Sequence, residues 1–219
     1  YAYLKIAEGC DNHCAYCVIP KLRGKLRSRP MEDLIKEAEQ LVSDGVKELI
    51  VVAQDTSRYG LDLYGERKLA ELLRRLCKID GLVWVRVHYL YPDEMSQELI
   101  DVLANEPKIV KYLDIPIQHC NSKILKLMNR RHTAAQAIGA VRAAQRAGFG
   151  NITADLIFGI PGFGGDSLKR SLDGMLSLGV QHISAYHLTI EPDTAFGRRA
   201  ARGEFRAVDE EVSEEEFLT

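Results

Sequence analysis

Hydrophobic and polar positions follow two rhythms along this 219-residue chain. Short runs rich in β-branched and aromatic residues predict six strands: YLKIA (3–7), ELIVVAQ (48–54), VWVRVHY (83–89), IVKYLDI (109–115), ITADLIFG (152–159) and HISAYHL (182–188). Between them, apolar residues recur every three or four positions and predict helices over 31–45, 66–78, 93–105, 121–129, 133–148 and 166–179. Pro30 precedes the first helix, Asp93 follows Pro92 at the start of the third, and Gly45, Gly148 and Gly179 read as stop signals. Strand and helix in strict rotation imply right-handed crossovers and parallel strands, with ligands gathered where the strands' carboxyl ends emerge. Six βα units fall short of the eight of a closed barrel. The fold class is therefore α/β, either an open arc of a (β/α) barrel or a doubly wound sheet.

Composition narrows this picture only a little. Hydrophobic residues make up 46% and charged residues 27%, ordinary proportions for one globular domain of this length. There is no continuous apolar run of membrane-spanning length and no signal-peptide pattern, so no membrane partner and a cytoplasmic location are expected. A net charge of −2 gives no global pull toward nucleic acid. The five cysteines are an odd number, and three lie too close together for a disulfide framework, which favours metal or redox chemistry in a reducing compartment.

Those three are Cys10, Cys14 and Cys17, in GCDNHCAYC just after the first strand. Thiolates select iron-sulfur clusters, zinc or copper(I), and a complete iron-sulfur cubane takes four. Three leave one iron open, and an open coordination position is how a metal site binds and activates a substrate. The competing reading is a structural zinc completed by His13, His119 or Cys120; against it, no second Cys-x-x-Cys pair exists in the chain.

The Cys-x-x-x-Cys-x-x-Cys spacing after a first strand, with Tyr16 before the last cysteine and six βα units in all, resembles the radical S-adenosylmethionine (radical SAM) superfamily. The resemblance implies a partial (β/α)6 barrel and a four-iron, four-sulfur cluster on Cys10, Cys14 and Cys17. It also implies S-adenosylmethionine chelated at the open iron and cleaved reductively to a 5′-deoxyadenosyl radical. Residues 1–132, with EGCDNHCAYCVIPKLRGKLRSRP, AQDTSRYG, VRVHYLYPDE and YLDIPIQHCNSKILKLMNRR, resemble the RimO methylthiotransferases, which modify an aspartate of a small-subunit ribosomal protein. Residues 133–219 resemble instead the HemW haem chaperones related to oxygen-independent coproporphyrinogen oxidases. The chain is thus expected to be one radical SAM core joined from two members of one superfold. Neither the sulfur-donating amino-terminal domain of RimO enzymes nor a carboxyl-terminal accessory domain is expected in it. Methylthiotransfer is the reaction the larger half implies, though not from this chain alone; a haem-carrying module or an inactive scaffold is the alternative.

Family placement also suggests cosubstrate contacts. Gln54 and Asp55 stand where relatives hold the methionyl ammonium, and Gln118 where ribose hydroxyls are bound. Gly159, Pro161 and Gly162, in FGIPG, resemble the motif whose backbone approaches the adenine; Tyr186 and His187 could border that ring. Relatives in the methylthiotransferase group carry Glu after the Pro-Gly, where this chain has Phe163. Tyr16 is placed with the cofactor by its position before Cys17. Arg86 is a candidate for carboxylate binding. Lys21, Arg23, Lys25, Arg27 and Arg29 alternate beside the cysteine loop and could attract an acidic protein loop, RNA or an electron donor such as flavodoxin. No aromatic interleaving supports base stacking, so nucleic acid is not indicated. The expected partners are the electron donor and a ribosomal protein, and the chain is expected to be a monomer. Cys77, inside a helical pattern, reads as a structural thiol, as does Cys120.

Overall fold

The computed structural model describes residues 1–163, 165–204 and 206–218. In chain order its elements begin with β1 (Ala2–Lys5), β2 (Ala7–Glu8), α1 (Ile19–Arg23), β3 (Arg27–Ser28), α2 (Met31–Ser43) and β4 (Glu48–Val52). There follow α3 (Leu61–Tyr64), α4 (Leu69–Cys77), β5 (Trp84–Val87), α5 (Gln97–Asn105), β6 (Tyr112–Gln118) and α6 (Ser122–Leu127). The last six are α7 (Ala134–Arg146), β7 (Asn151–Phe158), α8 (Gly165–Ser177), β8 (His182–His187), α9 (Ala195–Ala201) and α10 (Glu210–Phe217).

Six of the strands are parallel and form two sheets, β1-β4-β5 and β6-β7-β8. The sheets meet through the Val85–Ile109 bridge and the bonds Val85 N to Lys108 O (2.8 Å) and Leu90 N to Asp114 O (3.0 Å). With helices between successive strands this is the partial (β/α)6 arc. Among the described residues no helix is long and apolar enough to cross a membrane.

Period-two patterning decides which strand face meets the helices. Leu4, Leu49, Val51, Val85, Val87, Leu113, Ile115, Ile117, Ile152, Ala154 and Leu156 are all buried. They pack in one core with Leu34 of α2, Leu72, Leu73 and Leu76 of α4, Leu103 of α5 and Val141 of α7. Each such leucine contributes about 1.5–3 kcal/mol through burial. The alternate positions, among them Arg86, His88, Asp114, Thr153 and Asp155, face the other way, into the arc. A parallel sheet covered on both faces would be apolar throughout. Here the concave face is polar, because it borders the site.

Three differences from the sequence reading bear on the site. The fourth strand runs from Tyr112 to Gln118, not 109–115: Pro116 lies within it and has no N–H, and the pairing with β7 shifts register between Ile115 and Gln118. The third helix begins after Ser96, whose Oγ accepts from Leu99 N (3.2 Å), while Pro92–Glu94 form a 3-10 turn. The first strand divides: β2 turns away from β1 to pair antiparallel with β3, as Ala7 with Ser28 and Glu8 with Arg27. That two-residue ribbon closes the base of the cysteine loop.

Candidate functional site

The loop from Gly9 to Leu26 carries the three cysteines and is tied down at each end. Gly9 has φ +76°, and a Cβ there would lie 2.1 Å from Lys25 O, so only glycine fits. Cys10 N donates to Gly24 O (3.0 Å), and Leu26 N to Asp11 Oδ1 (3.1 Å). Across the arc, Asn12 Nδ2 donates to Asp55 Oδ2 (2.7 Å), Ala15 N to Met128 O (2.8 Å), and Asn129 Nδ2 to His13 O (2.6 Å). The loop is thereby fastened to the end of β4 on one side and the end of α6 on the other. Cys10 and Cys14 are buried, at 8% and 9% exposure, and Cys17 is half-buried. Burial pushes the Cys10 and Cys17 thiols up; a bound metal reverses this by taking the thiolate.

Cys10 and Cys17 open onto a cavity of about 470 Å³, a size typical of small-molecule sites. Its walls come from the carboxyl ends of successive strands: Ala53 and Gln54 after β4, Tyr89 and Tyr91 after β5, Pro116 and Gln118 in β6, Asp155 in β7, Tyr186 in β8. Tyr16 and Ile19 complete it from the loop side. Gln54 Nε2 donates to Glu8 Oε1 (3.2 Å), while Gln54 Oε1 is buried with no hydrogen-bond partner. An acceptor left so costs about 1–3 kcal/mol until a donor arrives. Tyr89 (φ +58°) and Gln118 (φ +70°) both hold left-handed backbone, strain of about 1–2 kcal/mol per residue that the fold retains at the cavity wall.

Asp155 is pushed up to about 6 by burial and by the neighbouring Asp114 carboxylate, with Arg130 offsetting part of this. Asp114 is itself bonded to His88 Nδ1 (2.7 Å). Arg130, from the turn after α6, lies against Cys14 Sγ (3.5 Å) and stacks on Tyr91 at 4.3 Å. Burial raises both the Tyr16 and Tyr91 phenols, keeping them neutral.

With this geometry in view, comparison with known proteins decides the family: a sequence model described as the Radical SAM superfamily matches residues 4–174. The chain belongs to the radical SAM superfamily. It is 45% identical over 213 residues to the ribosomal protein uS12 methylthiotransferase RimO of Clostridioides difficile, covering 96% of this chain and 47% of that protein. It is 43% identical over 219 residues to RimO of Moorella thermoacetica, covering 99% of this chain and 49% of that protein. RimO of Lachnoclostridium phytofermentans is 62% identical over 131 residues, covering 60% of this chain and 30% of that protein. The chain thus spans at most about half the length of these relatives. Among solved structures, the radical SAM methyltransferase TsrM of Kitasatospora setae has a TM-score of 0.76 at 18% identity, over 92% of this chain and 39% of that one. Coproporphyrinogen III oxidase (HemN) of Escherichia coli has a TM-score of 0.67 at 19% identity, over 99% of this chain and 50% of that one. At such identities these two likenesses speak for the fold alone.

The radical SAM core brings Cys10, Tyr16, Cys17, Gln54, Gln118 and Tyr186 to one cavity. Other expected positions fall elsewhere. Cys14 faces a smaller space of about 220 Å³ beside Arg130 and Tyr91. Asp55 is buried and does not line the cavity: one carboxylate oxygen accepts from Asn12 Nδ2 and the other from Ser57 Oγ, so it anchors the loop. Gly159 N donates to Glu216 Oε2 (2.7 Å), and His187 fills the space a side chain at Gly159 would take. Pro161 and Gly162 border a separate cavity of about 590 Å³ with Arg199 and Asp209. Arg86 is paired with Glu48 (2.7 Å).

Sequence reasoning missed Tyr89, Tyr91, Arg130 and Asp155. Asp155 had a signal, a lone acid in the apolar run ITADLIF; the others depend on contacts between distant segments. The residues present fit the two groups the family uses. A cubane places its thiolates on separate irons, so the sulfurs need not converge on one point. Among the described residues no three His, Cys, Asp or Glu side chains do converge to hold a single ion. His119, a ligand in the zinc reading, is buried with Nδ1 accepting from Asn121 N (3.1 Å) and held down to about 4 by desolvation.

Proposed function

We propose that this chain is the radical-generating core of a methylthiotransferase acting on ribosomal protein uS12. The observation that carries the reading is a single cavity where two of three loop cysteines meet an unsatisfied buried amide oxygen, a second amide and a carboxyl group. Cys10 and Cys17 at its edge, with Cys14 beside Arg130, would hold a four-iron, four-sulfur cluster, and the cavity would take S-adenosylmethionine. When bound, the reduced cluster and cosubstrate together supply a carbon-centred radical able to abstract hydrogen from an unactivated carbon.

The chain's own residues bind and orient. Gln54 Oε1 accepts from the methionyl ammonium, the donor it otherwise lacks. Gln118 and Asp155 receive the ribose hydroxyls, Asp155 accepting or donating according to its proton. Tyr16 and Tyr186 border the adenine, a role that falls to them because the Gly159 amide is already bonded to Glu216. Lys21 and Arg23 on α1, Lys25 in the turn after it and Arg27 on β3 are exposed beside the cysteines and suit an acidic electron donor of the flavodoxin kind. The chain works as a monomer in a reducing cytoplasm. The haem-carrier alternative draws on the resemblance of residues 133–219 to the HemW chaperones and on the fold likeness to coproporphyrinogen III oxidase.

Iron and sulfide counts after anaerobic reconstitution test this reading. The wild-type chain should bind about four of each, each of Cys10→Ala, Cys14→Ala and Cys17→Ala should lose most of them, and Cys77→Ala should keep them. Full loading in any of the first three, or equal loss in Cys77→Ala, sinks it.

A further inference from the structure

Arg130 is 7% exposed, and every contact it makes is neutral apart from one sulfur. Its Nη2 donates to Pro116 O (2.8 Å), its Nη1 to Cys14 Sγ (3.5 Å), and its guanidinium lies 4.3 Å over the Tyr91 ring. Its Nε is buried with no partner. Among the described residues no carboxylate lies within ion-pair distance of it. Asp155 feels Arg130 only through a coulombic influence, without contact.

A buried cation with no counter-charge costs several kcal/mol. The bond from Nη2 to Pro116 O holds the side chain there nonetheless, and the turn bond Arg130 N to Leu125 O (2.8 Å) holds its backbone. Something anionic must therefore belong at Cys14. We propose that Arg130 supplies the counter-charge to the iron-sulfur group at Cys14 and, by donating to Sγ, raises that group's reduction potential. It is a positioning residue, and the inference rests on the cluster assignment made above. The physics is general: a cation and a hydrogen bond at a ligand sulfur stabilise the extra negative charge of the reduced state, so a one-electron donor reduces the group more readily.

The test is a potentiometric titration of the reconstituted chain with dithionite, without S-adenosylmethionine, followed by the reduced cluster's electron paramagnetic resonance signal. With Arg130→Gln the reduced-to-oxidised ratio at the wild-type midpoint should fall about tenfold, a shift of about 59 mV for one electron. Arg130→Lys should fall about threefold, since it keeps the charge and loses the fork. Arg131→Gln, whose guanidinium is half exposed and already paired with Asp93 (3.1 Å) and Glu94 (2.8 Å), should stay within twofold. If Arg130→Gln does not assemble a cluster, Arg130→Lys decides. A purely structural role would lower the iron content while leaving the potential of the loaded fraction in place, and that result overturns the proposal. So does an unmoved potential with weakened S-adenosylmethionine affinity, which would assign the missing anion to the cosubstrate. A wild-type chain that takes up no cluster overturns the cluster assignment itself, and this inference with it.

Discussion

Gly9→Ala is the substitution whose cost the geometry states most directly. The residue immediately precedes Cys10 and holds φ +76°, where an L side chain costs about 1–2 kcal/mol. The new Cβ would also lie 2.1 Å from Lys25 O and 2.7 Å from Gly24 O, both backbone atoms of the turn between α1 and the return strand β3. Neither can rotate away. Relief requires the loop ends to part, losing the Cys10 N to Gly24 O bond and straining the β2–β3 ribbon, worth about another 2–3 kcal/mol. The sum, about 3–5 kcal/mol, corresponds to a fall in Tm of roughly 6–20 °C for a chain of this size. Gly45→Ala is the matched control: φ is +98° but nothing lies within 4 Å of the added Cβ, so only about 1–2 kcal/mol is at stake. Thermal melts of both variants, with iron uptake measured on the same samples, separate strain from clash. Gly9→Ala should melt well below Gly45→Ala and take up little iron, while Gly45→Ala loads fully. Equal melting temperatures and full loading in both would refute the claim that Gly9 is there to let the loop close.

Three further outcomes follow from the site and its supports. Asp155 in the folded chain titrates at about 6, above the usual carboxyl value near 3.9, so the folded state holds the proton through that window and stability falls as pH rises through it. Asp155→Asn should therefore be more stable than wild type above pH 7, by up to about 3 kcal/mol, with the gap closing toward pH 4; urea midpoints across pH check this, and a gap independent of pH contradicts it. Gln54→Leu should weaken S-adenosylmethionine binding to the reconstituted chain by about 10–100-fold while changing the stability of the free chain by no more than about 1 kcal/mol, since losing the Nε2 bond to Glu8 is offset by removing a buried oxygen that has no partner; unchanged affinity in equilibrium dialysis would remove Gln54 from the site. Thr133→Ala breaks the capping box with Gln136 at the head of α7 and should cost about 1 kcal/mol in denaturant melts, with no effect on iron content.

The rotation of six strands and six helices was legible because strand faces and helix stripes repeat at their own periods. Its failures were local and physical. A proline inside β6 hid the strand's last three residues, and a two-residue ribbon such as β2–β3 is too short to leave a pattern. At the candidate site, the clustering of three cysteines was legible because they sit within eight positions of one another, and the shared cavity wall of Gln54, Gln118 and Tyr186 was legible because each stands at or just after a strand's carboxyl end. Asp55 looked equally suitable, but Asn12, 43 residues earlier, occupies its carboxylate. Gly159 lost its place at the cavity to Glu216, 57 residues later, whose carboxylate takes its amide. Arg130 and Cys14, 116 residues apart, meet only through the fold. Such pairings are fixed by tertiary contact and leave no trace in local sequence.

The measurement that bears most directly on the central claim is the quantity of 5′-deoxyadenosine formed when the reconstituted chain is given dithionite and S-adenosylmethionine anaerobically, against the Cys14→Ala chain under the same conditions. The cluster and cavity described here predict product from the wild-type chain and none above background from the variant. Iron-loaded wild-type chain that forms no product, or a variant that forms as much, would contradict the assignment of this cavity to the cosubstrate.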